Sequence, residues 1–391
     1  SPRNLLINHD NPYGHPIDTG LYGEVSTGTW RSDAVEKLCA QHNHVLMPFS
    51  FFIDGLKVDK YGKLTVEAVL GCCMWFNRKA RNRAATWFVQ GFVEDQKLFR
   101  DQQSYIRDDR AQDYHDMMQS IFSEMKKIRD TGGMKIKLDF EGYQSRDIVA
   151  IPVIQFIIGD CKGNDLLNGR KGGHHLLMKG LCRDCNVAPD DGDDVCVGKE
   201  LKCQWIKKTD VEGKSKKELD KISYLPIDNC FKSQCFGGCD CGIHGATPAE
   251  ILHSIQLGLC EYIADSVQFI FTQLSLDIIS NTIVGIFQDG YRQSERDLPD
   301  LGPFLNGLMS VKSLKAKERF AQVYCIYLAL SNSFCITELC KKARKKRLSD
   351  GDNDPPMITA DFLRGYCLSV IESLVVRLIQ MHVYQDLPKL L

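Results

Sequence analysis

No apolar stretch of this 391-residue chain is long enough to span a bilayer, and no leader of the secretory kind opens it. A membrane-spanning helix and an exported, disulfide-stapled domain are therefore poor readings of the sequence. Net charge is missing too: 49 Lys and Arg against 50 Asp and Glu leave −1. No global basic field announces nucleic acid, so any polyanion has to be held by local patches. With 43% hydrophobic and 25% charged residues, the composition is that of an ordinary globular protein. What the chain has in excess is cysteine. Seventeen cysteines without a secretory signal suggest a reducing compartment, where clustered thiols serve metals more readily than disulfides. The length suits two domains or one domain with a large insertion. The chain starts at Ser1 and stops at Leu391 without a capping end, which suggests a piece of a longer protein.

The stretch His44–Leu70 organises the rest. Val45 to Ile53 is a nearly continuous apolar run of strand length, as expected of a strand buried on both faces. It ends in Asp54-Gly55, and after a turn at Tyr61-Gly62 a second β-rich run covers Leu64 to Trp75. A third follows at Ala84 to Val93. An acid at the mouth of a buried strand sits at an edge, on a metal or at a helix start, because burying it bare is costly, and the plain alternative for Asp54 is the start of a turn. Asp147 to Asp160 repeats the pattern: a buried-type strand that ends in an acid, with Gly163-Asn164-Asp165 opening a helix after it. If the two strands are neighbours, Asp54 and Asp160 converge. Paired carboxylates are hard-oxygen ligands for Mg²⁺ or Mn²⁺, and a two-metal site can activate water in phosphodiester chemistry.

Between these strands, Arg31 to His42 reads as a helix, and so does Gln112 to Thr131, whose Tyr114, Met117, Met118, Ile121, Met125 and Ile128 recur at helical spacing up to Gly132-Gly133. Met134 to Phe140 has the character of a hairpin strand. The cluster Arg78, Lys79, Arg81 and Arg83 in RKARNR is either a phosphate contact or a solvated loop.

The cysteine region comes next. Cys182-x₂-Cys185 has the spacing of a metal knuckle, and Cys241-x₂-His244 is a second ligand-spaced pair. Together they would make a closed Cys₃His zinc site in a region otherwise poor in core residues. Cys196, Cys203, Cys235 and Cys239 are spare candidates, and reduced thiols without metal are the alternative. Lys199 to Lys221 is lysine-rich and reads as an exposed loop. Thr247-Pro248-Ala249-Glu250 has the chemistry of a helix start. Glu250 and His253 share a helical face, either as a ligand or acid/base pair or as a cap beside a satisfied histidine. From there to the end the pattern is helical, broken by RQSERDLP (Arg292 to Pro299) and by the basic cluster Lys341 to Arg347, which is either a nuclear-localisation or DNA-backbone patch or a solvated helix end.

The ordered set is distinctive: a strand ending at Asp54, the RKARNR segment, the DYHDMM helix, a strand ending at Asp160, the CRDC knuckle, GIHGATPAEILHSIQLG and RQSERDLP. It resembles the transposase-like proteins of the CACTA and Plavaka type, above all their algal versions. The likeness runs from about Val45 to Leu330, and the block Gly242 to Gly258 is its most specific part. The resemblance implies an α/β, RNase H-like domain with acidic DDE/DDD residues, interrupted by a zinc knuckle and a helical insertion. It assigns Asp54 and Asp160 as the first two catalytic acids, with two Mg²⁺ or Mn²⁺ ions. It assigns Cys182 and Cys185 to the knuckle, and either Cys241 with His244 or Glu250 with His253 to the second ligand pair. Glu250 in place of Asp departs from the family pattern. The third acid is unassigned, since Glu372 lacks the expected surroundings, and a chain without that acid would be catalytically dead.

The expected organisation is an N-terminal extension (1–43), an RNase H-like core (44–180), a zinc-knuckle connection (181–245) and a helical domain (246–391). The expected partner is double-stranded DNA at transposon ends, acted on by metal-dependent hydrolysis and strand transfer in the nucleus. Homo-oligomers are a further option, and no membrane is involved. The alternative is an inactive remnant that acts as a zinc-stabilised DNA- or protein-binding module.

Overall fold

A computed structural model describes residues 29–60, 65–94, 108–171, 183–186 and 204–248, together with 260–263, 265 and positions 319, 323, 337, 341, 345, 348 and 365. The chain divides into two compact units, Ser1–Ala249 with Lys389–Leu391, and Glu250–Pro388. The helical segments expected after Ala249 therefore lie almost wholly outside the described residues. Everything that follows belongs to the first unit.

Helix α1 (Thr29–Leu38) precedes strand β1 (His44–Lys57), which turns back through β2 (Thr65–Cys73). A one-turn helix α2 (Arg78–Arg81) and a short 3₁₀ turn lead into β3 (Trp87–Glu94). Then come α3 (Asp108–Asp130), β4 (Met134–Leu138), β5 (Arg146–Ile158) and α4 (Cys161–Leu167). The strands form one mixed sheet in the order β3-β2-β1-β5-β4. Strand β1 is central, antiparallel to β2 and parallel to β5. A parallel neighbour requires a crossover, and the long α3 lies within that connection.

The apolar pattern explains the layering. On one face Phe51, Ile53, Val69, Ile154 and Ile157 pack against Tyr114, Met118 and Phe122 of α3, with Leu166 and Leu167 of α4 in the same cluster. On the other face Leu46, Ile151 and Val153 meet Trp30 and Ala34 of α1. The central strands are thus covered on both sides, as their unbroken apolar runs require. The edges are treated differently. β4 pairs only with Arg146–Ala150 of β5. Beyond that point the amides of Ile154 and Ile157 donate to the carbonyls of Cys235 and Ala246, which stitches the cysteine-rich segment onto the sheet.

Two expected boundaries move. β1 does not stop at Ile53 but runs to Lys57, because β2 continues to pair with it as far as Lys57–Thr65. Asp54 is therefore a residue within a strand rather than the start of a turn. RKARNR contains the helix α2, because the Asn77 side chain accepts from the Ala80 amide and caps it. A tight turn also fixes the approach to β4. Gly133 has φ +105, and a Cβ there would lie 2.7 Å from both Ile151 Cδ1 and Val149 Cγ1. Gly133→Ala should cost roughly 1–3 kcal/mol in equilibrium urea unfolding. An unchanged midpoint would mean that the turn yields freely.

Candidate functional site

The parallel register of β1 and β5 decides where the two acids lie. The last matched pair is Phe52 with Ile158, so Asp54 stands two residues further along β1, whereas β5 stops at Ile158 and Asp160 lies two residues past its end rather than in the strand. The strand ends are close at this level: a Cβ on Gly159 would come within 3.0 Å of the Ile53 carbonyl oxygen. Asp54 is exposed and paired across β2 with Ala68, and its Oδ1 accepts from the Gly55 amide at 2.7 Å. Asp160 is half-buried. Its Oδ1 accepts from the Gly163 amide, making it the N-cap of α4. The helix thus opens earlier than at Gly163-Asn164-Asp165, because a carboxylate beside free backbone N–H groups is a better start than the glycine.

A third acid that the sequence reading passed over lies nearby. Glu67 of β2 pairs with Gly55 of β1 and is buried at 6% exposure. Its Oε2 accepts from the Tyr114 hydroxyl at 3.0 Å. Burial, then the Glu67 charge, holds that phenol well above its ordinary value, and the Asp160 carboxylate acts in the same direction. Tyr114 thus sits within electrostatic reach of two acids at this end of the sheet. Only its place on the buried face of α3 was legible beforehand. Tyr114→Phe removes a donor from a buried carboxylate and should destabilise the fold by about 2 kcal/mol in urea titration. No loss of stability would mean that the pair contributes little.

The basic cluster lies elsewhere. It follows the C-terminal end of β2, where Cys73 pairs with Phe49 and the Met74 amide donates to Pro48. Five residues of β1 separate Phe49 from Asp54, about 17 Å at 3.3 Å per residue. Arg78, Lys79 and Arg83 are exposed, whereas Arg81 donates from Nη1 to the Phe76 carbonyl. The chain thus enters the cluster from a point level with the middle of β1 and not from the level of Asp54.

In the cysteine-rich segment Cys182 lies outside the described residues, as do Glu250 and His253. Cys185 is buried and bridges to Trp205, and the Lys208 amide donates to the Asp240 carbonyl. The stretch 205–208 thus runs between the two expected ligand pairs. His244 is buried, with Nδ1 at 3.3 Å from the Tyr224 hydroxyl. Burial, aided by Arg170, pushes its pKa down to about 4. The Cys241 thiol is pushed up by a hydrogen bond with Cys239 and by burial. Both groups are neutral at pH 7, the state from which a thiol must lose its proton to bind zinc. Among the described residues no three His, Cys, Asp or Glu side chains form a group placed to hold a metal ion. The knuckle chain itself is anchored: Arg183 lies 3.5 Å from Asp165 of α4 and donates to the Thr247 carbonyl. Thr247, expected to cap the next helix, also accepts from Asn168 Nδ2 at 2.8 Å.

One histidine is wholly structural. His115 of α3 has Nε2 at 3.0 Å from the Leu166 carbonyl and Nδ1 at 3.4 Å from Cys230 Sγ. A carbonyl only accepts, so Nε2 carries the proton and Nδ1 is left to accept from the thiol. Burial lowers its pKa to about 4. Comparison of the chain with protein-family models and with curated proteins returned no match.

Proposed function

We propose that the first unit is an RNase H-like domain of a transposase-like protein, acting on double-stranded DNA by metal-dependent phosphodiester hydrolysis and strand transfer. The observation that carries this reading is the parallel register of β1 and β5, which puts Asp54 on β1 and Asp160 just after β5 each two residues past their last matched pair. The sheet order, with β2 antiparallel and β5 parallel to β1, agrees with that fold class. The donor set suits Mg²⁺ or Mn²⁺: two carboxylates, each with Oδ1 oriented by a backbone amide. A divalent ion held there would supply a Lewis acid and an activated water. The chain's own part is to orient both carboxylates through the Gly55 and Gly163 amides. Arg78, Lys79 and Arg83, which are exposed, are proposed as phosphate contacts for that duplex. Nuclear residence follows from such a substrate, and a zinc ion on Cys182, Cys185, Cys241 and His244 is proposed as a structural element.

A second reading is a DNA- or protein-binding remnant of such an enzyme. It is favoured by the fact that both acids already have local hydrogen-bonding roles, Asp160 as a helix cap and Asp54 on its neighbouring amide. Incubating the whole chain with duplex DNA and Mg²⁺ or Mn²⁺ separates the two. The enzyme reading expects cleavage that EDTA abolishes; retention of DNA with no cleavage under either ion selects the remnant.

A further inference from the structure

The outer side of β5 is taken up by β4 and then by the cysteine-rich segment. Strand β3 is treated differently. It pairs with β2 along its whole length, and among the described residues no strand lies on its outer side. Open edges are usually blunted by lysine, proline or an inward charge. The strand WFVQGFVE has none of these, and its single charge is Glu94 at the end. Val89 is 57% exposed and Phe92 59%.

A bulge decides how these two side chains lie. Val69 pairs with Gly91 and Leu70 with Val89, so Gln90 is an extra residue in β3. Its Nε2 donates to the Ile121 carbonyl of α3 at 3.0 Å. Val89 thus stands level with Leu70 and Phe92 with Ala68, two apart on β2, which puts both on one face of the sheet. Without the bulge, residues three apart would point to opposite faces.

The strand is also complementary to itself. Reversed about the midpoint between Gln90 and Gly91, an antiparallel copy sets Val89 against the partner's Phe92 and Phe92 against the partner's Val89. All four lie on one face, the arrangement in which cross-strand apolar pairs stabilise a sheet. The two Glu94 carboxylates fall at opposite ends of the pairing. Each stands opposite Trp87 of the other protomer, one 3₁₀ turn from the exposed Arg83, so the charges are complementary. We infer that β3 is the docking edge for a second copy of this chain, paired antiparallel about Gln90 and Gly91 so that one sheet runs through both protomers. This interface does not depend on the Asp54–Asp160 pair.

The test uses the full chain without DNA or divalent metal, so it is independent of cleavage. Sedimentation velocity over a dilution series should show a dimer that dissociates on dilution. Val89→Lys/Phe92→Lys sets like charges opposite each other and should weaken association at least about tenfold. Its circular dichroism spectrum should be unchanged, since both side chains are exposed. The register has its own readout. Chains carrying Val89→Cys, mixed with chains carrying Phe92→Cys and mildly oxidised, should become linked through positions 89 and 92, as read by peptide mass spectrometry. Neither variant alone should link at these positions. A monomer at every concentration would leave the edge to a foreign strand and overturn the assignment. So would a dimer indifferent to the two lysines, or linkage of like with like.

Discussion

Asp54→Asn should lower Mg²⁺-dependent cleavage of duplex DNA by about 10²–10³-fold or more while leaving the fold intact. The size follows from losing a charged ligand at a centre whose work is electrostatic, where single donors are commonly worth that much. Asp54 is exposed, and its Oδ1 hydrogen bond to the Gly55 amide is one that an asparagine oxygen can also make. The cost in stability should therefore stay within about 0.5 kcal/mol. Asp139→Asn is the control, since this exposed acid follows the edge strand β4. Cleavage that survives Asp54→Asn, or falls equally in the control, removes Asp54 from the chemistry.

The second large effect is loss of stability in acid. His115 is buried neutral, and so is His244 when no zinc is bound to it, with pKa values lowered to about 4 by burial. A histidine whose folded value lies below its unfolded value near 6.5 contributes fully above that pH. Its contribution is lost as pH falls from about 6.5 towards 4, because the unfolded chain takes up protons that the fold refuses. Each histidine is worth on the order of 3 kcal/mol over that window. Asp184 works against them. Burial raises its carboxyl to about 6, so the fold binds its proton before the unfolded chain does. It offsets roughly one histidine. Lowering the pH from 7 to about 4.5 should thus reduce the unfolding free energy by a net amount on the order of 3 kcal/mol. Urea midpoints measured across that range in the presence of EDTA, with His244 free of metal, should fall steadily; a flat profile would mean that the two rings are hydrated.

The strands that hold the candidate acids were legible because two-faced burial leaves an unmistakable apolar run. Val45–Ile53 and the apolar part of Asp147–Asp160 needed no tertiary information, and neither did the stripe that packs Tyr114 and Met118 onto the sheet, although Phe122, buried beside them, stood outside it. Boundaries set by partners were not legible. Nothing local to Asp54 reveals that β2 extends β1 to Lys57, and the cap that starts α4 at Asp160 competes with a glycine three residues on. Sites assembled across the sequence were invisible. Glu67 and Tyr114 lie 47 residues apart, and Asn168 meets Thr247 across 79. The lysine-rich stretch expected as a loop likewise forms the short helix Lys216–Lys221, because Ser215 and Glu218 cap it reciprocally.

Asp54 and Asp160 are proposed to share a divalent ion. The measurement that addresses this most directly is a crystal structure of the protein soaked in Mn²⁺, with the ion located by anomalous scattering. An anomalous peak about 2.0–2.2 Å from a carboxylate oxygen of both residues is the predicted result. Mn²⁺ bound elsewhere, with both carboxylates still held only by the Gly55 and Gly163 amides, would contradict it.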